Sequence, residues 1–384
     1  VSLRRVLALV RKEMREIVRD RMVFLLAFVL PIVLMLVFGY GMARDVENVS
    51  LAAVDEDHSE LSRDYVSHYV ASRHFDFKGY AGSVRDAERL LAEGSVRVVL
   101  VLPPRFQEEL VAGRTAEVQT LIDGTFVTSA RSIEGYTEAI HQEVAGGIQA
   151  RFLARSLGIP EDRAAAMLAP VRTEVRYLYN RDMEAIRSVA PSLIMFCLML
   201  VTPLLMALSV VREKETGSIF NIYASTVRRA EFLLGKLLPN VLVSFGNGLV
   251  LWAIATWHFG APFKGSLPFF LLGLLLFVVC ASGLGLLVSL LVRTQQAALM
   301  IAVIVSVIIA FQYGGMLVPV ATQAGSKYVL SHLLPAMYFE TILEGTFLKG
   351  AGGKDLWREA LVLALYGAGL LGTSLAIFRK RTAT

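Results

Sequence analysis

The sequence predicts a polytopic α-helical membrane protein with six transmembrane helices and an inserted α/β extracytoplasmic domain. Three observations carry that reading. Six runs free of Asp, Glu, Lys and Arg cover residues 22–43, 188–211, 237–263, 265–292, 294–326 and 360–378, and a helix needs roughly 20 apolar residues to cross a bilayer. Basic residues gather in the segments that alternation places on one side of the membrane. The polar stretch 44–187 alternates strand-like and helix-like patterns. Hydrophobic residues make up 55% of the 384, and the mean hydropathy of +0.57 implies lipid as the solvent for part of the chain.

Residues 1–21 form a cytoplasmic amphipathic helix. Leu3, Val6, Leu7, Val10, Met14, Ile17 and Val18 fall on one face, and Arg4, Arg11, Lys12, Arg15 and Arg19 on the other. Such a helix lies in the headgroup layer, as an anchor for the first span or as a lever against a cytoplasmic partner. The first span, 22–43, is not a signal peptide. Its apolar core is too long, the charged stretch before it is long, and Gly-Tyr-Gly-Met-Ala-Arg-Asp is a poor cleavage site.

The inserted domain spans 44–187. Strands are expected at 49–54, 75–80, 96–102 and 118–122, with one more at 174–178. Helices are expected from the Ser59 cap to Ala71, at 84–92 after Ser83, at 106–111 and from Thr128 to about Leu157. The acidic run Asp55-Glu56-Asp57 reads as a strand end and helix cap in preference to a cation site. His58, His68, His74 and His141 lack metal-ligand spacing. No metal site and no catalytic residues are expected.

The second span is 188–211, followed by a cytoplasmic loop at 212–236. The third is 237–258, the fourth 267–292 and the fifth 297–314, ended by Gly314-Gly315. An outer re-entrant segment covers 315–358, where Pro319, His332, Pro335, Glu340 and Glu344 interrupt an apolar run. The sixth span is 359–378, and 379–384 is a cytoplasmic tail. Arg and Lys before span one, between spans two and three, between four and five, and after six put both termini in the cytoplasm. Cys197 and Cys280 sit inside apolar runs and read as small buried hydrophobes. Small residues at 281, 285 and 289, and at 368, 372 and 376, read as close helix packing. Ionisable residues are almost absent at mid-bilayer depth, which argues against a proton- or sodium-coupled carrier. Gly235-Lys236-Leu237 and Gly353-Lys354-Asp355 lack the rest of a phosphate-binding P-loop.

The segment after span two reads Arg212-Glu213-Lys214-Glu215-Thr216-Gly217-Ser218, then Ile219-Phe220-Asn221-Ile222-Tyr223, and later Glu231, Gly235, Lys236 and Pro239. Its mixed charge and short apolar patch suit a helix that docks on another protein. This stretch resembles the permeases of type-2 ATP-binding-cassette (ABC) exporters, in which Arg-Glu-Lys-Glu-x-Gly and then Thr or Ser follows span two. A Glu-x-x-x-Gly-Lys-x-x-Pro segment precedes span three in that family. The resemblance extends to the six spans, the domain after span one and Pro335 to Gly345. It is greatest for the bacterial multidrug-type subgroup with a large extracytoplasmic domain. The sequence departs at Phe220, where many members have Glu, and at Thr226, where many have Pro.

The resemblance implies an efflux permease in the bacterial inner membrane. Arg212, Glu213, Lys214, Glu215, Gly217, Phe220, Glu231, Gly235 and Lys236 would couple to the ATPase, and Pro335, Glu340 and Glu344 would form an outer gate. It implies a cytoplasmic ATPase subunit that holds ATP and magnesium, with no cofactor bound by this chain. It also implies a second permease copy or paralogue, contact with membrane lipid, an envelope adaptor and no nucleic acid. Closure of the ATPases would separate spans two and five across the pair. The rival reading is a force-transmitting signal protein that moves no substrate.

Overall fold

The computed structural model describes residues 2–42, 48–125, 127–168, 179, 184–218, 227–316 and 320–377. The expected strand at 174–178, Phe220 with its apolar neighbours, Pro319 and the tail 379–384 lie outside them. The chain divides into two compact units, Val1–Arg44 with Tyr177–Thr384, and Asp45–Arg176.

In chain order, α1 is Leu3–Arg19 and α2 is Arg21–Met42. The inserted unit holds β1 (Val49–Asp55), α3 (Glu60–Ala71), β2 (Phe75–Tyr80), α4 (Val84–Ala92), β3 (Val98–Leu102), α5 (Phe106–Val111), β4 (Gln119–Ile122), α6 (Val127–Leu157) and α7 (Glu161–Leu168). The membrane unit continues with α8 (Ala185–Glu215), α9 (Arg229–His258), α10 (Leu267–Leu291) and α11 (Gln295–Tyr313). It ends with α12 (Ser326–His332), α13 (Pro335–Glu344) and α14 (Gly353–Ile377). Six of these, α2, α8, α9, α10, α11 and α14, are long and apolar enough to cross a membrane. The protein is a polytopic helical membrane protein with an inserted α/β domain.

The inserted unit is a four-stranded sheet in the order β2-β1-β3-β4. β1 runs parallel to β2 and β3, and β4 runs antiparallel to β3. Leu51 and Ala53 share a core with Tyr65, Tyr69 and Ile133 of α3 and α6, while Ala52 and Val54 pack with Ala87 of α4. Helices cover both faces, so β1 and β3 read as nearly continuous apolar runs. Ser59 caps α3 through Ser62 N at 3.0 Å, and Ser83 caps α4 through Asp86 N at 3.2 Å.

In the membrane unit α8 is the central post. Of its most apolar stretch 83% is buried, against 22% for α2 and 28% for α11. It packs on α2, α9, α10, α11 and α13. With 31 residues it is about 46 Å long, well beyond the apolar thickness of a bilayer. Gly285 of α10 lies against the backbone of Pro203 of α8, and Asn240 of α9 donates to Ser282 Oγ of α10 at 2.9 Å. The rings of Phe277 and Phe339 stack 4.3 Å apart, which joins α13 to α10. Cys197 and Cys280 are free and buried.

Three features differ from the sequence reading. Segment 212–236 is not one loop: α8 runs on through Glu215, and α9 begins at Arg229. The apolar count stops at the first charge, but Arg, Glu and Lys are good helix formers and the backbone ladder continues. The small residues of α14 also divide differently. Ala368, Gly372 and Ala376 are exposed, and the approach to α10 uses Gly367, which faces Val279 and Cys280. Finally, the burial of α8 within its own chain leaves α11, with Ile304 and Ile308 exposed, as the freer of spans two and five.

Candidate coupling site

The site lies where α1 crosses the end of α8 and the start of α9. Asp20 separates α1 from α2, and its carboxylate accepts hydrogen bonds from Met22 N and Val23 N at 3.0 and 3.3 Å. That cap starts the first span and fixes the corner. Gly235 then lets α1 approach α9 closely, because a Cβ there would sit 2.5 Å from Leu9 Cβ. α1 therefore buries Val6, Leu9 in part, and Glu13, while Leu3, Leu7 and Val18 stay exposed.

Charge is buried in this crossing. Lys236 Nζ lies 2.6 Å from Glu13 Oε1 and 2.9 Å from Glu213 Oε1, and it donates to Ser209 O at 2.9 Å. All three residues are 5% exposed or less. Half-exposed Lys12 adds a hydrogen bond to Glu213 Oε1 at 2.8 Å. Glu231 is equally buried: it accepts from Ser2 N at 2.6 Å and Arg228 N at 2.9 Å, which holds the first residues of α1 against the first turn of α9.

The last charged turn of α8 ties a different neighbour with each residue. Arg212 donates to Asp20 Oδ2 at 2.7 Å, and Glu213 holds Lys236 and Lys12. Lys214 donates to the carbonyls of Ser289 and Val292, at the C-terminal end of α10. Glu215 accepts from Gln295 N at 3.0 Å and Gln295 Nε2 at 2.9 Å, at the N-terminal end of α11. A cation at a helix C-terminus and an anion at an N-terminus are the pairings the helix dipole favours. Gly217, with φ of +75°, then turns the chain out of α8. One helical turn thus clamps the ends of α1, α9, α10 and α11, so a push on it reaches all of them.

Titration follows the same geometry. Burial pushes the Glu13 carboxyl up, and the Lys236 ammonium only partly opposes it. For Lys12 burial acts downward, but Glu213, Glu16 and Glu13 together hold it above its ordinary value. The Arg212 guanidinium and the two backbone amides hold Asp20 below the usual carboxylate range.

Sequence reasoning missed Glu13, Lys12 and Asp20. The available signal was spacing: Glu13 follows Val6 and Leu9 at helical intervals, so it shares their buried face.

At the other end of α8 the expected gate residues separate. Pro335 opens α13 at its first turn. Glu340 is buried and accepts from Ser192 Oγ of α8, with no partner for its second oxygen among the described residues. Glu344 reaches the surface and pairs with Lys349 at 3.0 Å. So α8 joins the charged crossing at one end to α13 at the other.

The described residues thus form an insertion-bearing bundle of six candidate membrane helices, clamped by charge at one end. The chain belongs to the ABC-2 transporter family: the model for "ABC-2 family transporter protein" matches residues 21–376. It is 27% identical over 354 residues to the probable multidrug ABC transporter permease YbhS of Escherichia coli (strain K12), covering 91% of this chain and 90% of that one. It is 25% identical over 380 residues to the probable multidrug ABC transporter permease YbhR of the same organism, covering 98% and 99%. The linearmycin resistance permease protein LnrN of Bacillus subtilis (strain 168) is 21% identical over 378 residues, covering 95% and 97%. Membership of this family implies an ATP-binding partner subunit.

Proposed function

We propose that this chain is the permease of an ATP-driven exporter in a bacterial inner membrane, moving drugs, lipids or other amphiphiles outward. A separate cytoplasmic subunit binds ATP and magnesium and supplies the energy. The α1 end of the bundle faces the cytoplasm, in keeping with its basic residues. A second copy or a paralogue pairs through the exposed face of α11. The inserted domain lies outside and docks an envelope partner. The observation that carries this reading is the charged last turn of α8, which links α1, α9, α10 and α11 to one post. Closure of the ATP-binding subunits pushes on that turn and on α1. Movement of α8 then disturbs the Ser192–Glu340 link and frees α13 as the outer gate. The relatives named for multidrug transport and linearmycin resistance support a drug as substrate.

The test is affinity purification of the detergent-solubilised chain from its native membrane, followed by an ATPase assay. Wild type is compared with a Glu213→Ala, Glu215→Ala variant. The expected result is an ATP-binding subunit that co-purifies with wild type and is lost, or hydrolyses ATP without response to substrate, in the variant. Wild-type chain recovered intact with no ATPase partner contradicts the proposal.

A further inference from the structure

The inserted unit contains a cleft of roughly 930 Å³ between α3, α5 and the second half of α6. That volume is within the range of pockets that hold drug-sized molecules. Its walls are tied together in advance. Gln107 of α5 accepts from Leu61 N of α3 at 3.2 Å, and its own backbone N donates to Asp57 Oδ2 at 3.1 Å. Arg151 of α6 pairs with Asp64 of α3 at 3.3 Å. Tyr65 OH lies 2.7 Å from His141 Nδ1, and Tyr69 OH donates to Thr137 O at 3.2 Å, which fixes α3 on α6 below the cleft.

The lining is divided by chemistry. Ile148, Arg151, Phe152 and Arg155 recur at helical spacing, so one face of α6 turns into the cleft. Phe152 is 46% exposed there, and its ring rests beside Gly113, whose φ of +72° and missing Cβ leave room for it. Leu110 and Val111 of α5 extend the apolar strip, with Val111 65% exposed. A strip of this kind left open to water is unfavourable unless something covers it. Beside it stand three guanidinium groups. Arg151 is occupied by Asp64, while Arg63 and Arg155 have no carboxylate within 4.0 Å among the described residues. Glu60, the remaining acid of the lining, sits in the first turn of α3, where the helix N-terminus offsets its charge.

We propose that this cleft binds a freely diffusing single-chain anionic amphiphile, with its carboxylate on Arg155 and Arg63 and its chain along Phe152, Leu110 and Val111. A guanidinium fork matches a carboxylate in geometry and charge, and the strip beside it accepts several methylene groups. A cationic amphiphile would meet the like charges of Arg63 and Arg155 instead. The inference stands apart from the export reading, because binding here needs neither ATP nor a partner chain.

The test uses the full chain in nanodiscs of zwitterionic phosphatidylcholine. Two photoreactive probes of equal chain length are compared, a diazirine-bearing decanoate and its trimethylammonium counterpart. Labelled peptides are located by mass spectrometry. The expected result is decanoate labelling of the peptides that carry α5 and the end of α6. That labelling should fall about tenfold in an Arg63→Glu, Arg155→Glu variant, the effect of losing one or two charged hydrogen bonds. The same variant should gain labelling by the cationic probe. Arg155→Lys, which keeps the charge but loses the fork, should fall between the two. Both positions are exposed, and an unchanged melting temperature checks that the variants fold. Equal labelling by both probes overturns the proposal, as does decanoate labelling unaffected by charge reversal. Labelling of the cleft only by a photoreactive phosphatidylglycerol placed in the bilayer also overturns it.

Discussion

Replacing Lys236 with methionine is expected to destabilise the membrane unit by about 3–5 kcal/mol, the usual consequence of removing one partner from a buried ionic cluster. The methionine fills nearly the same space, so packing is not the cause. What changes is that Glu13 and Glu213, at 4% and 5% exposure, lose the ammonium between them. Lys12 still hydrogen-bonds Glu213 but stands 3.8 Å from Glu13, a weaker substitute for the 2.6 Å contact it replaces. Thermal unfolding in detergent, followed by the fluorescence of the three tryptophans, should show a lower midpoint by on the order of 10 °C. Adding Glu13→Gln should recover part of the loss. The deficit should also depend on pH in a fixed direction. Burial raises the Glu13 carboxyl in the folded state, so the neutral form is favoured by folding. Stability linked to Glu13 is therefore greatest below its unfolded value and is lost as pH rises through its folded one. The variant should be closest to wild type in acid and furthest from it at neutral pH. An unchanged midpoint at neutral pH would refute the assigned role of Lys236.

Adding a single methyl group at Gly285 is expected to be as damaging. A Cβ at that position would lie 2.2 Å from the carbonyl oxygen of Pro203 and 2.7 Å from its Cα. Both are backbone atoms of α8 and cannot rotate aside. Gly285→Ala must therefore push α10 away from the central post, opening the packing along both helices. Overpacking of this kind costs about 1–3 kcal/mol and more where backbone must move. Gly372→Ala is the internal control. Nothing lies within 4 Å of its added methyl group, so it should be neutral or gain up to about 1 kcal/mol from helix propensity. Both variants can be compared by the yield of monodisperse protein after detergent extraction. Equal yields would contradict the close approach of α8 and α10.

These two residues also show what sequence could and could not reveal. The six spans were legible because length and the absence of charge are demanded by the bilayer itself. The close packing at Gly285 was legible as a small residue spaced with Ala281 and Ser289. The same reasoning failed on α14: Ala368, Gly372 and Ala376 have the right spacing, yet Gly367 makes the contact. Spacing fixes a face of a helix but not which neighbour that face meets. In the inserted domain, the strand at 49–54 was legible as an apolar run because each side of the sheet has its own core, with Leu51 and Ala53 on one and Ala52 and Val54 on the other. In the crossing, motif reading named the residues of α8 and α9 that the structure brings together. It missed their partner Glu13, because a charged residue on the buried face of an otherwise amphipathic helix looks like a surface residue until the crossing helix is in place.

The central claim is that the charged end of α8 couples ATP hydrolysis to movement of a substrate. The most direct measurement is ATP-dependent accumulation of a lipophilic fluorescent dye in proteoliposomes that hold the chain with its co-purified ATP-binding subunit. Dye should accumulate with the wild-type complex. It should fail to accumulate with Glu213→Gln, which keeps the shape of the site but weakens its hold on Lys236 and Lys12, while ATP hydrolysis continues. Wild-type complex that hydrolyses ATP but moves none of a panel of amphiphilic dyes would contradict transport and favour a force-transmitting signal protein.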